Sequence, residues 1–262
     1  MDVQEEEFDR AAARAANLAA LYETQLHAYI EQESLFDAAF AVYSAEQCRE
    51  LSKDNRRRLG FTSPTLAYGE IKFEAFGSLV LSLIKHEVDL QLMYSFVDLG
   101  SGVGKAVVAA ALLGIFEKCS GLELVPELHE AGFKALKQFF RHYTGSSMID
   151  FSFLLGDATY MDWSDSDFVF AHASCFNSAM MRRVSFTASK MKRGSIFVIL
   201  SNRLLCEELF TLLLTADMEV SWGLATAFAY RRNDVPAPGE LTSPKLHLQT
   251  VLSKSLSDLS QA

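Results

Sequence analysis

One pattern narrows the possible folds of this 262-residue chain more than any other. Short apolar runs suited to strands alternate with longer stretches of helical spacing. The predicted strands are Tyr94–Leu99, Ser120–Leu124, Phe151–Leu155, Asp167–Ala171 and Ile196–Leu200. Between and before them, Ile71–Leu90, Gly104–Leu113, Pro126–Tyr143 and Ser178–Met191 read as helices. Pro126 suits a first helical turn, and Gly194 reads as the C-cap of the last of these helices. Such alternation implies a parallel sheet with helices on both faces. Further on, Leu204–Leu214 reads as a helix, and Val220–Tyr230 and Leu246–Leu252 as strands. The connection between those strands holds Pro236, Pro238, Gly239 and Pro244, so they are expected to form an antiparallel edge pair.

Ahead of the alternating region, about Glu5 to Leu51 reads as one helix, with Leu18, Leu21, Tyr22, Leu26, Tyr29 and Ile30 at helical spacing. Arg56–Arg58 reads as a solvated helix end, and Gly60–Gly69 as a loop. Half of the chain is hydrophobic, enough for one α/β domain with a sizeable core and a small helical extension. The expected division is an extension over 1–64, a main domain over 65–253 and a polar tail over 254–262.

Acidic side chains outnumber basic ones by 33 to 24, for a formal charge of −9. An acidic surface repels nucleic acid and suits a small molecule or a basic polypeptide such as a histone tail. Cys48, Cys119, Cys175 and Cys206 are widely spaced, as expected of reduced thiols, and neither they nor the six histidines show a metal-binding spacing. The acidic N-terminus lacks the pattern of a signal or transit peptide, and no apolar run is long enough to span a membrane. A nuclear or cytoplasmic protein is expected.

The sharpest motif is Asp98-Leu99-Gly100-Ser101-Gly102-Val103-Gly104, between a strand and a helix. Gly100, Gly102 and Gly104 allow a tight turn and close approach of a ligand to the backbone. Lys105 stands where a dinucleotide fingerprint would continue, so the spacing disfavours a dinucleotide. The carboxylate of Asp98 ahead of the first glycine favours S-adenosylmethionine. Glu123, about 20 residues on, lies where such folds hold ribose hydroxyls, with Leu124 beside it. Gly156-Asp157 ends the third strand. Asp157 can accept from an adenine amino group while Ala158 offers its N–H; the plainer alternative for Asp157 is a helix N-cap. Three such elements at successive strand ends are far more specific than any one.

The run from Phe170 to Asn177 leaves the fourth strand and is expected to face the transferable methyl. Ser174 and Asn177 are the candidate partners of an acceptor amine there. The run lacks Asp-Pro-Pro-Tyr, which disfavours amide and nucleobase acceptors. His172 reads as a base or, more plainly, as a structural histidine, and Cys175 as packing.

From about Thr65 to Tyr230 the chain resembles the non-SET histone lysine methyltransferases of the disruptor-of-telomeric-silencing family. The resemblance is carried by Tyr68-Gly69-Glu70, Val97 to Gly104, Gly121-Leu122-Glu123, Gly156-Asp157 with Trp163 after it, Met191-Lys192-Arg193-Gly194, and Ser221-Trp222. It implies a Rossmann-like, seven-stranded methyltransferase sheet in which Asp98, Gly100, Glu123 and Asp157 hold S-adenosylmethionine. Tyr68 and Glu70 are implied to belong to a loop folding over the cofactor, and Phe176 and Trp222 to shape a lysine channel. The family has a pair of asparagines after the fourth strand, where this chain has His172 and Ala173, and it uses a basic extension on nucleosomes that is absent here apart from Arg56–Arg58. The expected activity is methylation of a protein lysine, histone favoured. A non-histone protein or a small molecule as acceptor, and a catalytically silent cofactor-binding partner, are the alternatives.

Overall fold

A computed structural model of the chain describes residues 32–58, 68–86, 88–90, 93–143 and 149–233. Its helices are α1 (32–40), α2 (Ala45–Arg58), α3 (Phe73–Ser82), α4 (Lys105–Leu112), α5 (Pro126–His142) and α6 (Ser178–Ala188). Its strands are β1 (Ser95–Leu99), β2 (Lys118–Glu123), β3 (Asp150–Leu155), β4 (Phe168–Ala171), β5 (Ile196–Leu200), β6 (Phe210–Val220) and β7 (Gly223–Arg232). They form one sheet in the order β3-β2-β1-β4-β5-β7-β6. The first five strands are parallel, and β7 enters antiparallel between β5 and β6.

Side-chain alternation splits the core into two layers, because successive residues of a strand point to opposite faces. Phe96, Phe168, Phe170, Ile196 and Val198 pack with residues of α1 to α5. Val97, Leu99, Val169, Ala171, Phe197 and Ile199 pack with Trp163 and α6. On the first face Phe76 of α3 meets Phe96 and Phe170 edge-on, at centroid distances of 5.9 and 5.3 Å. The strand order reverses between β1 and β4, so a crevice opens there at the carboxyl ends of the strands.

Four elements differ from expectation. The long N-terminal helix breaks between α1 and α2, at 41–44. There Ser44 Oγ accepts from Gln47 N, and Gln47 Oε1 from Ser44 N, a reciprocal cap that starts α2. The expected Ile71–Leu90 helix is shorter: Ile71 bridges Val220, and after Ser82 the chain tightens into a 3₁₀ turn over Leu83–His86. Ser82 Oγ donates to Leu79 O, drawing off a carbonyl of the last helical turn. Gly194 caps no helix, since α6 ends at Ala188; at φ +78° it turns the chain into β5, and its N–H donates to Arg232 O.

The fourth correction is the largest. Leu204–Leu214 is not a helix: a short 3₁₀ turn leads into β6, and β6 supplies the antiparallel partner of β7. Leucine and glutamate favour a helix locally, but the open side of β7 offers a full ladder, and pairing overrides propensity. A bulge between Leu212 and Leu214 also breaks the alternation that would betray the strand. The expected Leu246–Leu252 strand and the 1–31 part of the helical extension lie outside the described residues.

Candidate functional site

The glycine loop follows β1. Gly100 and Ser101 both donate backbone N–H groups to Leu122 O, at 2.8 and 2.9 Å, which ties the loop to β2. Gly102, at φ +56°, is bonded by its N–H to Glu123 Oε2 at 2.7 Å. A Cβ there would sit 2.6 Å from the ring of Tyr68, so a glycine is required by both backbone and space. Gly104 has φ +86° and a would-be Cβ only 2.4 Å from the Phe153 ring, and it leads directly into α4.

Two buried carboxyls stand beside this loop. Asp98, on β1, holds its proton more tightly than an exposed carboxyl, chiefly through burial and then through the charge of Glu123. Burial also raises Glu123, while the N–H groups of Val125, Gly102 and Leu124 partly oppose the shift. Glu123 Oε1 accepts from Val125 N at 2.7 Å, and half-buried Leu124 lies between the two. Asp98 Oδ1 and Ser101 Oγ are buried with no hydrogen-bond partner within the described protein.

Asp157 lies after β3, but no helix follows it. Its Oδ1 accepts from Thr159 N and Thr159 Oγ1, at 2.8 and 2.7 Å, closing a turn. Ala158 is buried, and its carbonyl accepts from Trp163 Nε1 at 3.0 Å. Gly156 N donates to Glu123 O, which ties the end of β3 to the end of β2.

Residues 68–70 lie across the crevice. Glu70 Oε1 accepts from Tyr68 Oη and Glu70 Oε2 from Lys105 Nζ, both at 2.7 Å. Glu70 also exchanges bonds with Ser221: its N–H donates to Ser221 Oγ, and its carbonyl accepts from Ser221 N. The helical extension closes the far side, where Lys105 Nζ stands 6.0 Å from the Phe36 ring centroid and 5.5 Å from that of Phe40. Cys48 of α2 faces Tyr68 and Glu70, and burial pushes its thiol up to about 11. Burial and the Glu70 charge hold Tyr68 as a phenol. Thr65–Ala67, the first part of the expected lid, lie outside the described residues.

The loop after β4 brings the remaining residues together unevenly. His172 stacks on Trp222, with centroids 6.2 Å apart and planes at 24°, and Gly69 wedges against both rings. Ser174 Oγ is 3.0 Å from Ser201 Oγ, and Ser201 holds φ +66°, a left-handed conformation uncommon for a non-glycine. Ala173 O accepts from Asn202 Nδ2. Phe176 is half-buried against the α6 layer. Asn177 stands apart from these groups: its Oδ1 accepts from Met180 N, capping α6. Ser201 escapes the sequence reading; Lys105 left a trace there only as an interruption of the dinucleotide pattern, and Ser221 only as part of the Ser221-Trp222 segment, with no role assigned.

Residues 57–222 match the family of histone methylation protein DOT1, which is more than half of the chain. The chain belongs to the DOT1 family. The DOT1 match runs from α2 through the glycine loop to Trp222, and so includes Tyr68, Glu70, Asp98, Glu123, Asp157 and His172. No curated protein matches the chain in sequence. Among solved structures it is similar to magnesium protoporphyrin IX methyltransferase from Synechocystis PCC 6803 with bound SAM, at 12% identity and TM-score 0.50, over 71% of this chain and 97% of that one. It is also similar to an RNA methyltransferase from Salinibacter ruber in complex with S-adenosyl-L-homocysteine, at 19% identity and TM-score 0.45, over 62% and 94%. At these identities the likeness is one of fold.

Proposed function

We propose that this chain transfers the methyl group of S-adenosylmethionine to a lysine amine of a basic protein, with histone the first candidate. The methyltransferase class and its cofactor are those of the DOT1 family and its fold; the acceptor and the residue roles are the proposed part. The observation that carries the reading is the family match from α2 to Trp222, because it takes in both the glycine loop and the aromatic wall formed by Trp222. The formal charge of −9 favours a basic partner. A histone substrate would be met in the nucleus or, when newly made, in the cytoplasm. Among the described residues no helix is long and apolar enough to cross a membrane.

The residues at the strand ends fit the cofactor. Asp98 Oδ1 and Ser101 Oγ are buried polar atoms that need partners, and open space lies where a Cβ on Gly100 would sit. In this reading Asp98 serves the methionine end, Glu123 and Leu124 the ribose, and Asp157 with Ala158 N–H the adenine. Gly100, Gly102 and Gly104 let the backbone come close. Tyr68 and Glu70 fold over the methionine end, where Glu70 takes the ammonium and Lys105 the carboxylate.

When bound, the cofactor supplies a methyl group already activated on a sulfonium. The protein then has to hold the amine in line and exclude water, which can account for about 7–11 kcal/mol of barrier. Trp222 and Phe176 wall the lysine, Ser174 offers a hydroxyl from its contact with Ser201, and Asn177 anchors the same loop through its α6 cap. Incubation with labelled cofactor and nucleosomes, free histones or a cell lysate tests the reading. Label in lysine of a basic protein is expected; label only in nucleic acid or a small metabolite would overturn it.

A further inference from the structure

We propose that Nε2 of His172 accepts a hydrogen bond from the amine being methylated, and so restricts the enzyme to primary and secondary amines. The inference rests on the methyltransferase reading above. Its starting point is position: Leu99 and Ala171 are the last paired residues of β1 and β4, so His172 leaves the sheet level with Gly100, at the crevice where the strand order turns.

The ring is held between two neighbours, Trp222 and Gly69. It stacks on Trp222, a residue that is half exposed. Gly69 fills the gap between the two rings, where a Cβ would lie 2.9 Å from His172 Cε1 and 3.0 Å from Trp222 Nε1. The Gly69 backbone lies beside the ring and favours an N–H turned toward it, whereas Nε2 is buried without a partner. With Nδ1 the nitrogen on the Gly69 side, the tautomer that leaves a lone pair on Nε2 is the favoured one. Burial depresses the ring to about 4, the Gly69 backbone opposes that shift, and no charged side chain contributes. The imidazole is thus neutral at physiological pH. It is too weak a base to carry off the proton of an ammonium, but it is a competent acceptor of N–H.

The consequence follows from counting hydrogens. A neutral lysine amine has two N–H bonds and a monomethylated one has one, so either can give a hydrogen to Nε2 while its lone pair faces the methyl. A dimethylated amine has none. In the transfer the incoming ammonium first loses a proton to water. The amine lone pair then forms the N–C bond, the C–S bond breaks with its pair remaining on sulfur, and the product ammonium releases its proton to water.

The test has two arms. In the first, the 15N signals of His172 are followed by NMR in the full-length protein with S-adenosylhomocysteine, on adding n-butylamine or butyltrimethylammonium. Nε2 is expected to move with the amine and not with the N–H-free cation. In the second, core histones are methylated by the parent, His172→Phe and His172→Gln, with products resolved by mass. The parent is expected to add a third methyl at least tenfold more slowly than a second. His172→Phe keeps the stack but should lose at least tenfold in the first two steps and with it the discrimination, while His172→Gln restores both. A merely structural ring would leave the discrimination intact in His172→Phe, and that result, or an unmoved Nε2 signal in protein that binds S-adenosylhomocysteine, overturns the inference alone. Parent protein that fails to bind S-adenosylhomocysteine by calorimetry sinks the methyltransferase reading as well.

Discussion

Replacing Glu70 by glutamine, Lys105 by methionine, and both together separates what this pair does for the fold from what it does for the ligand. Glu70 is 5% exposed, with one oxygen on Tyr68 Oη and the other on Lys105 Nζ, each at 2.7 Å. Removing one member of a buried pair strands the other, at a cost of about 3–5 kcal/mol when burial is complete. The Lys105 side chain is 18% exposed and keeps two phenyl faces nearby, so Glu70→Gln belongs below that range, at about 2–3 kcal/mol. For a domain of this size that lowers Tm by roughly 4–12 °C. Lys105→Met should cost more, because the Glu70 carboxylate is the more deeply buried partner. The double variant removes both charges and should recover most of the loss, leaving a coupling energy of about 2 kcal/mol or more. Its affinity for S-adenosylmethionine should nonetheless fall tenfold or more, since about 1.4 kcal/mol is a factor of ten and a charge-assisted hydrogen bond is worth about 1.5–3 kcal/mol. Thermal unfolding and titration calorimetry on the four proteins measure both quantities. A double variant that binds like the parent refutes the ligand role, and single variants that melt with the parent refute the energetic argument.

Three further outcomes are expected. Asp98 has a raised folded-state pKa, so its charge destabilises the fold above that pKa, and the penalty fades as pH falls toward the ordinary carboxyl range. Asp98→Asn should therefore unfold at a higher temperature than the parent at pH 8, by a margin that shrinks toward about pH 5, while losing cofactor binding; a margin independent of pH would contradict this. Gly104→Ala should lower Tm, since φ +86° alone costs a non-glycine about 1–2 kcal/mol and its Cβ would meet the Phe153 ring at 2.4 Å; unchanged melting would show that the loop adjusts. Trp163 is 4% exposed and Trp222 49%, so acrylamide should quench mainly the second, and Trp222→Phe should leave a fluorescence that acrylamide barely affects.

The parts legible in the sequence are those whose signal is local. Asp98 to Gly104 announces itself because a tight turn after a strand needs glycines within a few residues, and Gly156 after β3 and Gly194 before β5 mark those strands in the same way. Ser44 and Gln47 also carry a local signal for the start of α2, though the alanine-rich run before them masks it. Asn177 sits three residues ahead of Met180 at the start of a helical stretch, a spacing that suits a cap as well as a ligand. What escapes is set by distant partners. Glu70 and Lys105 are 35 positions apart, and nothing near either one names the other. Residues 210–220 are a strand only because β7 lies beside them, and the bulge at Leu212 hides their period. Ser201 takes a glycine-like φ without being glycine, so its turn leaves no mark in composition.

The bonds between Glu70 and Ser221 join positions 151 apart in the chain. During synthesis the glycine loop, Glu123 and Asp157 all emerge from the ribosome well before Ser221 and Trp222. Every shorter nascent length thus has the strand ends assigned to the cofactor but lacks the hairpin tip that backs His172 and pins residues 68–70. A partly made or C-terminally clipped chain would leave residues 68–70 without their Ser221 bonds and, in the proposed reading, without the cover over the methionine end as well as the wall beside the acceptor. In that reading, completion of β6 and its turn finishes both the cofactor cover and the acceptor wall, and a protease cut near Ser221 is expected to weaken cofactor binding together with acceptor choice.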